Sequence, residues 1–470
     1  MKVLFIDGLS EKSGQVNLGL GYLAQYVRKR HDVTIRALPY HTTEELAAFA
    51  GSFDVVGFSS LTSQFRPCLR IAEAIRAAHP HVTIVFGGIH PTAMSEDTLR
   101  EPCVDFVFQG EAEIGFMRFL DMLEAGGNDF ASVPGLVYLD ASGAVRKNMP
   151  EFVADLDEVG MPAWDLLERE TTSTKKRNVI TSRGCPYTCS YCYNSTMRRN
   201  FKFKYRRRGV ASVIEECLLL RAEGADYINF SDDLFLVNRE WLSEFARQWR
   251  EHVGLPFSCT ARPEMVLKNR VSLKELKDVG LRCVWVGIES GNEAIRRAIF
   301  NRKMSNEDII QAFAIAKGMG LETMSFNLVG VPTEGWKEAL DTFRINLKVR
   351  PKSCSHYTLM PYPDTAIWHM ADAMGLFMGE EKIFLEDAGN VQGKWTIAHG
   401  YLHTGKLNRH QIMALRYFWR AVFPKSKWWR YHKRLRDVLV GLFWLVWGAF
   451  SSEKPGPGRK KLPMDCPEGH

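Results

Sequence analysis

No apolar stretch of this 470-residue chain was found to reach the roughly 20 residues of a membrane-spanning helix; a strongly apolar run at residues 438–450 stops short of that length. Nor does a secretory signal open it. Met1-Lys2-Val3-Leu4-Phe5-Ile6-Asp7-Gly8 carries too short an apolar run and reads as a first β-strand, so a cytoplasmic chain is expected. Most of the chain also lacks a charge excess: the last 60 residues hold 12 Lys+Arg against 4 Asp+Glu, leaving 49 against 50 for residues 1–410. The formal net charge of +7 is therefore local and argues against a nucleic-acid-binding surface over the whole protein. Internal repeats are missing too. With 46% hydrophobic and 24% charged residues the chain is globular, which excludes disordered, collagenous and multispanning classes. Ten cysteines in a cytoplasmic chain point away from a disulfide framework and toward metal or redox work, or core filling.

What is present is an alternation of short apolar runs and amphipathic stretches. Over residues 1–140 the runs at 3–6, 33–36, 54–59, 83–87 and 106–109 alternate with helical patterns such as 18–29 and 68–78. This predicts a parallel, Rossmann-like sheet with helices on both faces. Ligands on such sheets sit beyond the strand carboxyl ends, so the loops after Ile6, Phe58 and Phe86 matter most. The polar segment 140–162 reads as a turn and linker, and the linker as a whole spans 141–175. Residues 176–375 restart the alternation, with strands expected at 178–181, 227–231, 257–260, 283–288, 323–329 and 353–359. Six such units suggest a partial barrel with its chemistry at the strand C-terminal ends. Residues 376–470 form a C-terminal region whose first part, to 410, is too irregular to assign.

The strongest local signal is Cys185-Pro186-Tyr187-Thr188-Cys189-Ser190-Tyr191-Cys192, just after the first barrel strand. Three thiolates this close can hold three irons of a cubane cluster and leave the fourth iron open to a chelating substrate. Structural zinc needs four ligands, usually as two half sites, and no second half site lies nearby.

This spacing resembles the radical S-adenosylmethionine (SAM) superfamily, with CxxxCxxC after the first strand of a partial (β/α)6 barrel. The resemblance implies a 4Fe-4S cluster on Cys185, Cys189 and Cys192, with SAM on the open iron and Tyr191 beside the adenine. Phe230-Ser231-Asp232-Asp233 resembles the segment near the methionine amine, where Asp232 or Asp233 would accept hydrogen bonds. Val286-Gly287-Ile288-Glu289-Ser290-Gly291 resembles the ribose-contacting segment, with Glu289 and Ser290 as its polar residues. Asn327-Leu328-Val329-Gly330-Val331-Pro332 stands at the adenine-lining position, represented by Asn327 and Gly330. Each segment has a plainer reading as a helix cap or turn. Arg262, after the third strand, can bind the SAM carboxylate bidentately.

In the first domain, Ser59-Ser60-Leu61 and Gly87-Gly88-Ile89-His90 resemble the SxL and GG elements of cobalamin-binding Rossmann domains, with Ser59, Leu61, Gly87, Gly88 and His90 as cofactor contacts. A small hydroxyl and two glycines let backbone approach a large nucleotide tail. Together with Gln109-Gly110-Glu111-Ala112-Glu113 and Met161-Pro162-Ala163-Trp164-Asp165, they make residues 1 to about 370 resemble the cobalamin-dependent branch of the radical SAM enzymes. The DxHxxG loop of classical cobalamin domains is altered: Asp7-Gly8-Leu9-Ser10-Glu11-Lys12-Ser13-Gly14 has no histidine, so cobalt is expected to lack a histidine lower ligand and to face residues 61–66. Asp364 stands where the family often has glycine.

The resemblance implies an α/β protein: a Rossmann-like B12-binding domain, a radical SAM barrel and a helical C-terminal segment. Its cofactors would be a 4Fe-4S cluster, SAM and cobalamin. Its activity would be methylation of an unactivated carbon, with phosphorus second. The alternatives are cyclisation, ring rearrangement or oxidation without methyl transfer and, from another class, a noncatalytic membrane-associated scaffold or electron carrier. Expected partners are a low-potential flavodoxin or ferredoxin and a small-molecule or lipid substrate, with no nucleic acid. Residues 416–437 hold eight Lys+Arg against one acidic residue, interleaved with Trp and Tyr. Beside the apolar run this suits the interface of an anionic bilayer, a peripheral inner-membrane contact through 411–450. The plainer reading is a helix packed on the barrel.

Overall fold

The computed structural model describes residues 1–8, 16–167, 175–377 and 403–422, with Val438 and Leu442. The first sheet contains β1 (Lys2–Asp7), β2 (Asp32–Ala37), β3 (Val55–Ser59), β4 (Thr83–Gly87), β5 (Phe106–Phe108), β6 (Leu136–Leu139) and β7 (Val145–Lys147). Their order is β2-β1-β3-β4-β5-β6-β7, with β1 to β5 parallel and β6 and β7 antiparallel. Val3, Leu4, Phe5 and Ile6 are all at most 1% exposed, the uninterrupted apolar run of a strand covered on both faces. The expected turn near Asp140 is there, its carboxylate accepting from the Ser142 and Ala144 amides. The turn, however, joins β6 to β7, so the first sheet runs to Lys147 rather than ending at 140.

The second sheet contains six parallel strands, β8 (Lys176–Val179), β11 (Tyr227–Phe230), β12 (Phe257–Ala261), β13 (Leu281–Glu289), β14 (Glu322–Val329) and β15 (Ser353–Thr358). A small antiparallel pair, β9 (Ser182–Arg183) and β10 (Arg206–Arg207), lies between β8 and β11 in the chain. The large sheet runs β15-β14-β13-β12-β11-β8, the expected partial barrel. Along β13, Val284, Val286 and Ile288 are buried in the apolar core, while Trp285, Gly287 and Glu289 alternate to the less covered inner face. In β14, Thr323, Ser325, Asn327 and Val329 are the buried set, and Met324, Phe326 and Leu328 take the other face.

One apolar core spans both sheets, joined by Val153, Val159, Ala163, Trp164 and Leu167 of the connecting segment. The Met161–Asp165 motif fastens that connection at three points. The Ala163 amide donates to the Gly21 carbonyl (3.0 Å), the Trp164 indole to Glu216 (2.9 Å), and Arg28 grips Asp165 with two bonds of 2.7 and 2.9 Å. Glu216, fully buried, also pairs with Arg208, whose guanidinium donates to the Tyr22 hydroxyl (3.0 Å) in the first domain. A buried ion pair that loses one member leaves an uncompensated charge, a loss of about 3–5 kcal/mol. Arg208→Met is therefore expected to lower unfolding stability by that order, read as a reduced urea midpoint with both domains affected.

Candidate active site

The cysteine loop leaves the end of β8 and is held from three sides. Ser190 donates its amide to the Phe300 carbonyl (3.2 Å) and its hydroxyl to the Ile299 carbonyl, and its own carbonyl accepts from the Ile367 amide (3.0 Å). Asn301 donates to the Thr188 carbonyl (3.1 Å). Within the loop the Cys192 amide returns to the Cys189 carbonyl (3.1 Å). Cys185, Cys189 and Cys192 are free thiols, and their proximity adds to the proton affinity of Cys185 and Cys192. Burial is the larger cause and pushes Cys192 up to about 12, so metal binding must displace its proton. Among the described residues no three His, Cys, Asp or Glu side chains converge on a single ion. A cubane, whose own edges separate its thiolates, needs no such convergence, and the donor set suits it.

The Arg262 guanidinium lies 3.2 Å from the Cys189 sulfur, binds Glu264 at 2.7 Å and stacks 3.7 Å from the centre of the Tyr187 ring. Its Nε has no partner among the described residues. Asp232 is almost fully buried and accepts at Oδ1 from the Thr181 amide (3.0 Å), the Thr181 hydroxyl (2.8 Å) and the Ser182 hydroxyl (2.5 Å). Its Oδ2 has no partner among the described residues. That carboxylate therefore braces the strand end from which the cysteine loop departs. Asp233 has an exposed surface that opens into a cavity, and depth within the protein raises its carboxyl above the usual range.

Glu289, at φ +65, receives Arg302 at 3.0 Å, and the same guanidinium reaches the Tyr191 hydroxyl (2.9 Å) and the Gly287 carbonyl (2.8 Å). A Cβ on Gly287 would come within 2.5 Å of the Glu289 carboxylate, so glycine is what admits that side chain. Tyr191 packs edge-on to Phe300. Tyr191, Glu289 and Arg302 thus form one connected group beside the loop; Arg302 gave no sequence signal because its partners lie 13 and 111 residues away.

Two expected contacts turn away from the inner face. Ser290 is fully buried, its hydroxyl accepting from the Asn292 amide and lying 3.4 Å from that of Thr342. Asn327 is fully buried as well; its amide donates to Ser325 and the Ser355 carbonyl, and its oxygen accepts from Asn346 (2.8 Å). Strand parity explains Asn327: an even–odd alternation puts it on the helix-covered side, opposite Phe326 and Leu328. The Gly330 amide is bound by the Glu334 carboxylate (2.6 Å).

The cavity, of about 380 Å³, lies between the two sheets. Ser59, Gly87 and Gly88 contribute from the first domain, and Ser182, Gly184, Asn194, Ser231 and Asp233 from the second; Phe5, Leu20, Phe108 and Phe116 extend it as an apolar slot. Gly88 has φ +97, and a Cβ there would lie 2.8 Å from the Ser60 backbone, so the two loops meet backbone to backbone. Leu61 and His90 are not among the lining residues. His90 is buried beside Phe65, shares a hydrogen bond with Thr62 (3.2 Å), and burial lowers it to about 4, a neutral structural imidazole. Residues 9–15 of the loop without histidine lie outside the described residues.

Across the cavity rim the two domains are tied by charge. Arg183 meets Glu113 at 2.7 Å and Glu111 at 3.1 Å, and Arg206 meets Glu111 at 2.6 Å. These are the acids of the Gln109–Glu113 segment and the arginine two positions before Cys185. Within the second domain, Asp364, at φ +61, joins two of its segments. Its carboxylate accepts from Arg199 (2.9 Å), Asn200 (2.6 Å) and His369 (3.1 Å), and its carbonyl from Thr196 (3.1 Å).

At the C-terminus the helix Arg409–Val422 packs on the second sheet. Trp419, expected at a bilayer interface, is fully buried, 4.4 Å from the Phe343 ring and 5.3 Å from His356. The rest of the basic segment and nearly all of 438–450 lie outside the described residues. Among the described residues no helix is long and apolar enough to cross a membrane.

A Rossmann-like domain facing a partial barrel with CxxxCxxC at its first strand end defines a radical SAM enzyme with a corrinoid-binding domain. Two family models match, the B12 binding domain over residues 12–120 and the Radical SAM superfamily over 179–345. An uncharacterised methyltransferase of Pyrococcus horikoshii is 32% identical over 371 residues, 77% of this chain and 79% of that protein. Cytidylyl-2-hydroxyethylphosphonate methyltransferase of Streptomyces wedmorensis is 26% identical over 423 residues, 80% of this chain and 77% of that one. The solved cobalamin-dependent SAM radical enzyme OxsB, with aqua-cobalamin bound, shares the fold at a TM-score of 0.73 and 16% identity, covering 95% of this chain and 73% of its own. The chain belongs to the cobalamin-dependent radical SAM family.

Glu334, beside Gly330, gives a pH signature. Fully buried, it is pushed up to about 8, with two backbone amides only partly offsetting desolvation. A carboxyl raised from 4.5 to about 8 contributes stability that is fully present below 4.5 and is lost as pH rises toward and through 8, on the order of 4 kcal/mol. Urea midpoints measured from pH 4.5 to 8 are expected to fall more steeply for the native chain than for Glu334→Gln.

Proposed function

We propose that this protein is a methyltransferase that moves a methyl group from SAM, by way of a corrinoid, onto an unactivated carbon. The observation that carries this reading is one cavity shared by the end of β3 and the loop after β4 on one side and by the ends of β9 and β11 on the other. Methyl donor and activated substrate have to meet, and a shared cavity lets them do so without release. The relatives named as methyltransferases support transfer over cyclisation.

Cys185, Cys189 and Cys192 would ligate three irons. Asp233 would accept from the amine of SAM and Glu289 from its ribose, while Arg262, adjacent to Cys189, would bind its carboxylate. Tyr191 would pack beside the adenine. Ser59, Gly87 and Gly88 would admit the corrinoid's nucleotide tail to the apolar slot. When bound, the cluster with SAM supplies a hydrogen-abstracting 5′-deoxyadenosyl radical, and cobalamin supplies the methyl group. Arg183 and Arg206, held by Glu111 and Glu113, keep the two halves in register, and the phenylalanines of the slot exclude water from one end of the cavity. The reaction also requires a small-molecule substrate and a reductant, which we assign to a low-potential carrier of flavodoxin or ferredoxin type.

The test is anaerobic reconstitution with iron, sulfide and hydroxocobalamin, followed by SAM carrying a labelled methyl group, dithionite and candidate substrate extracts. Formation of 5′-deoxyadenosine together with a labelled product is expected; 5′-deoxyadenosine with no labelled product would replace methyl transfer by the cyclase reading. Cys189→Ala is expected to bind fewer than four irons per chain, and an unchanged iron content would refute the ligand assignment.

A further inference from the structure

Between Ser182 and Ile214 the chain has eight Lys or Arg and no Asp or Glu, although residues 1–410 are almost neutral. Five of the eight are committed elsewhere. Arg183 and Arg206 bind the first-domain acids, Arg208 binds Glu216, Arg199 binds Asp364, and Arg207 stacks 3.5 Å from the centre of the Trp241 ring. The other three, Arg198, Lys202 and Lys204, are exposed and follow the cysteine loop in the chain. Arg198 donates to the Pro186 carbonyl, and the Lys204 carbonyl lies so close to Gly184 that a Cβ there would be 3.2 Å from it.

A second group comes from the segment that holds the loop by Asn301: Arg297 and Lys303 are exposed on either side of it. Lys202, Lys204, Arg297 and Lys303 make no ion pair among the described residues. Nearby acids are already engaged, Glu264 by Arg262 and Asp364 by Arg199. The enclosed tip of the loop, Pro186 and Thr188, is itself exposed. Exposed basic residues, a basic rim, thus lie on both segments that contact the loop beside its most exposed part, Pro186 and Thr188.

We propose that this rim is the docking surface for a small acidic electron-carrier protein, which presents its redox group to Pro186–Thr188. The proposal rests on the reading that the three cysteines hold a redox cluster. One electron passes from the reduced carrier to the cluster; the carrier is oxidised by one electron, the cluster is reduced by one, and no atom is transferred. Like-signed exposed charges around a contact point steer an oppositely charged partner and make its association sensitive to salt.

The experiment uses the full reconstituted chain and oxidised flavodoxin as the probe, with affinity measured by calorimetry at low and physiological ionic strength. The double variant Lys202→Glu/Lys204→Glu is expected to bind at least about tenfold more weakly at low salt, the native affinity to fall as salt rises, and Lys274→Glu, an exposed lysine on the helix Arg270–Asp278, to leave it unchanged. Flavodoxin-driven bleaching of the cluster is expected to slow in the double variant while dithionite-driven bleaching is kept. Equal affinity in the double variant, an equal loss in Lys274→Glu, or equally tight binding of duplex DNA that is also lost in the double variant would overturn the docking assignment. A native chain that holds no iron would instead overturn the proposed function.

Discussion

Everything at the cavity depends on Arg183 being shared between Glu111 and Glu113. Its strand, β9, is two residues long and among the described residues pairs only with β10, too little ladder to fix a loop by itself. The guanidinium anchors the stem of the cysteine loop to acids of the other domain, and Arg206 repeats the connection from the paired strand. Ion pairs of this kind repay their desolvation poorly in net stability, and their usual gain is a defined register between the parts they join. Here the register is that of one sheet's loops against the other's, and both the cavity's walls and its rim follow from it.

The same logic accounts for the shape of the connecting segment. A flexible tether would let the two sheets drift, and a cavity built from both would have no constant dimensions. Trp164 and Asp165 instead commit the connection to Glu216 in one domain and Arg28 in the other, and the apolar core continues through it without a break. The cofactor loops are therefore mounted on what is mechanically one body.

Much of this was legible in the sequence. All six barrel strands lie within two residues of their expected bounds, because each is an apolar run flanked by helical periodicity, and the cysteine spacing located the loop at the end of the first. What escaped was of two kinds. Side-chain direction depends on parity, which a motif alone does not carry, so Asn327 and Ser290 were expected at a ligand and lie among structural partners. Partnership across long separations was the other: Glu111 and Arg206 are 95 residues apart, and the Gln109–Glu113 segment had no visible purpose until its partners were known. His90 escaped for a related reason, since its place in a glycine-rich loop made it an expected cofactor contact, and burial beside Phe65 and Thr62 makes it structural.

Asp364 fits where glycine would be easier. A non-glycine residue at φ +61 costs roughly 1–2 kcal/mol, and three side chains and a hydroxyl meet it there. Among the described residues the six-stranded sheet does not close, and its edge strands are β15 and β8. Asp364 follows one edge strand, and Arg199 and Asn200 belong to the helix that follows the other's cysteine loop. The gap is thus buckled by side chains where a closed barrel would have a backbone ladder. Parting the two edges there would break these side-chain bonds but unpair no strand.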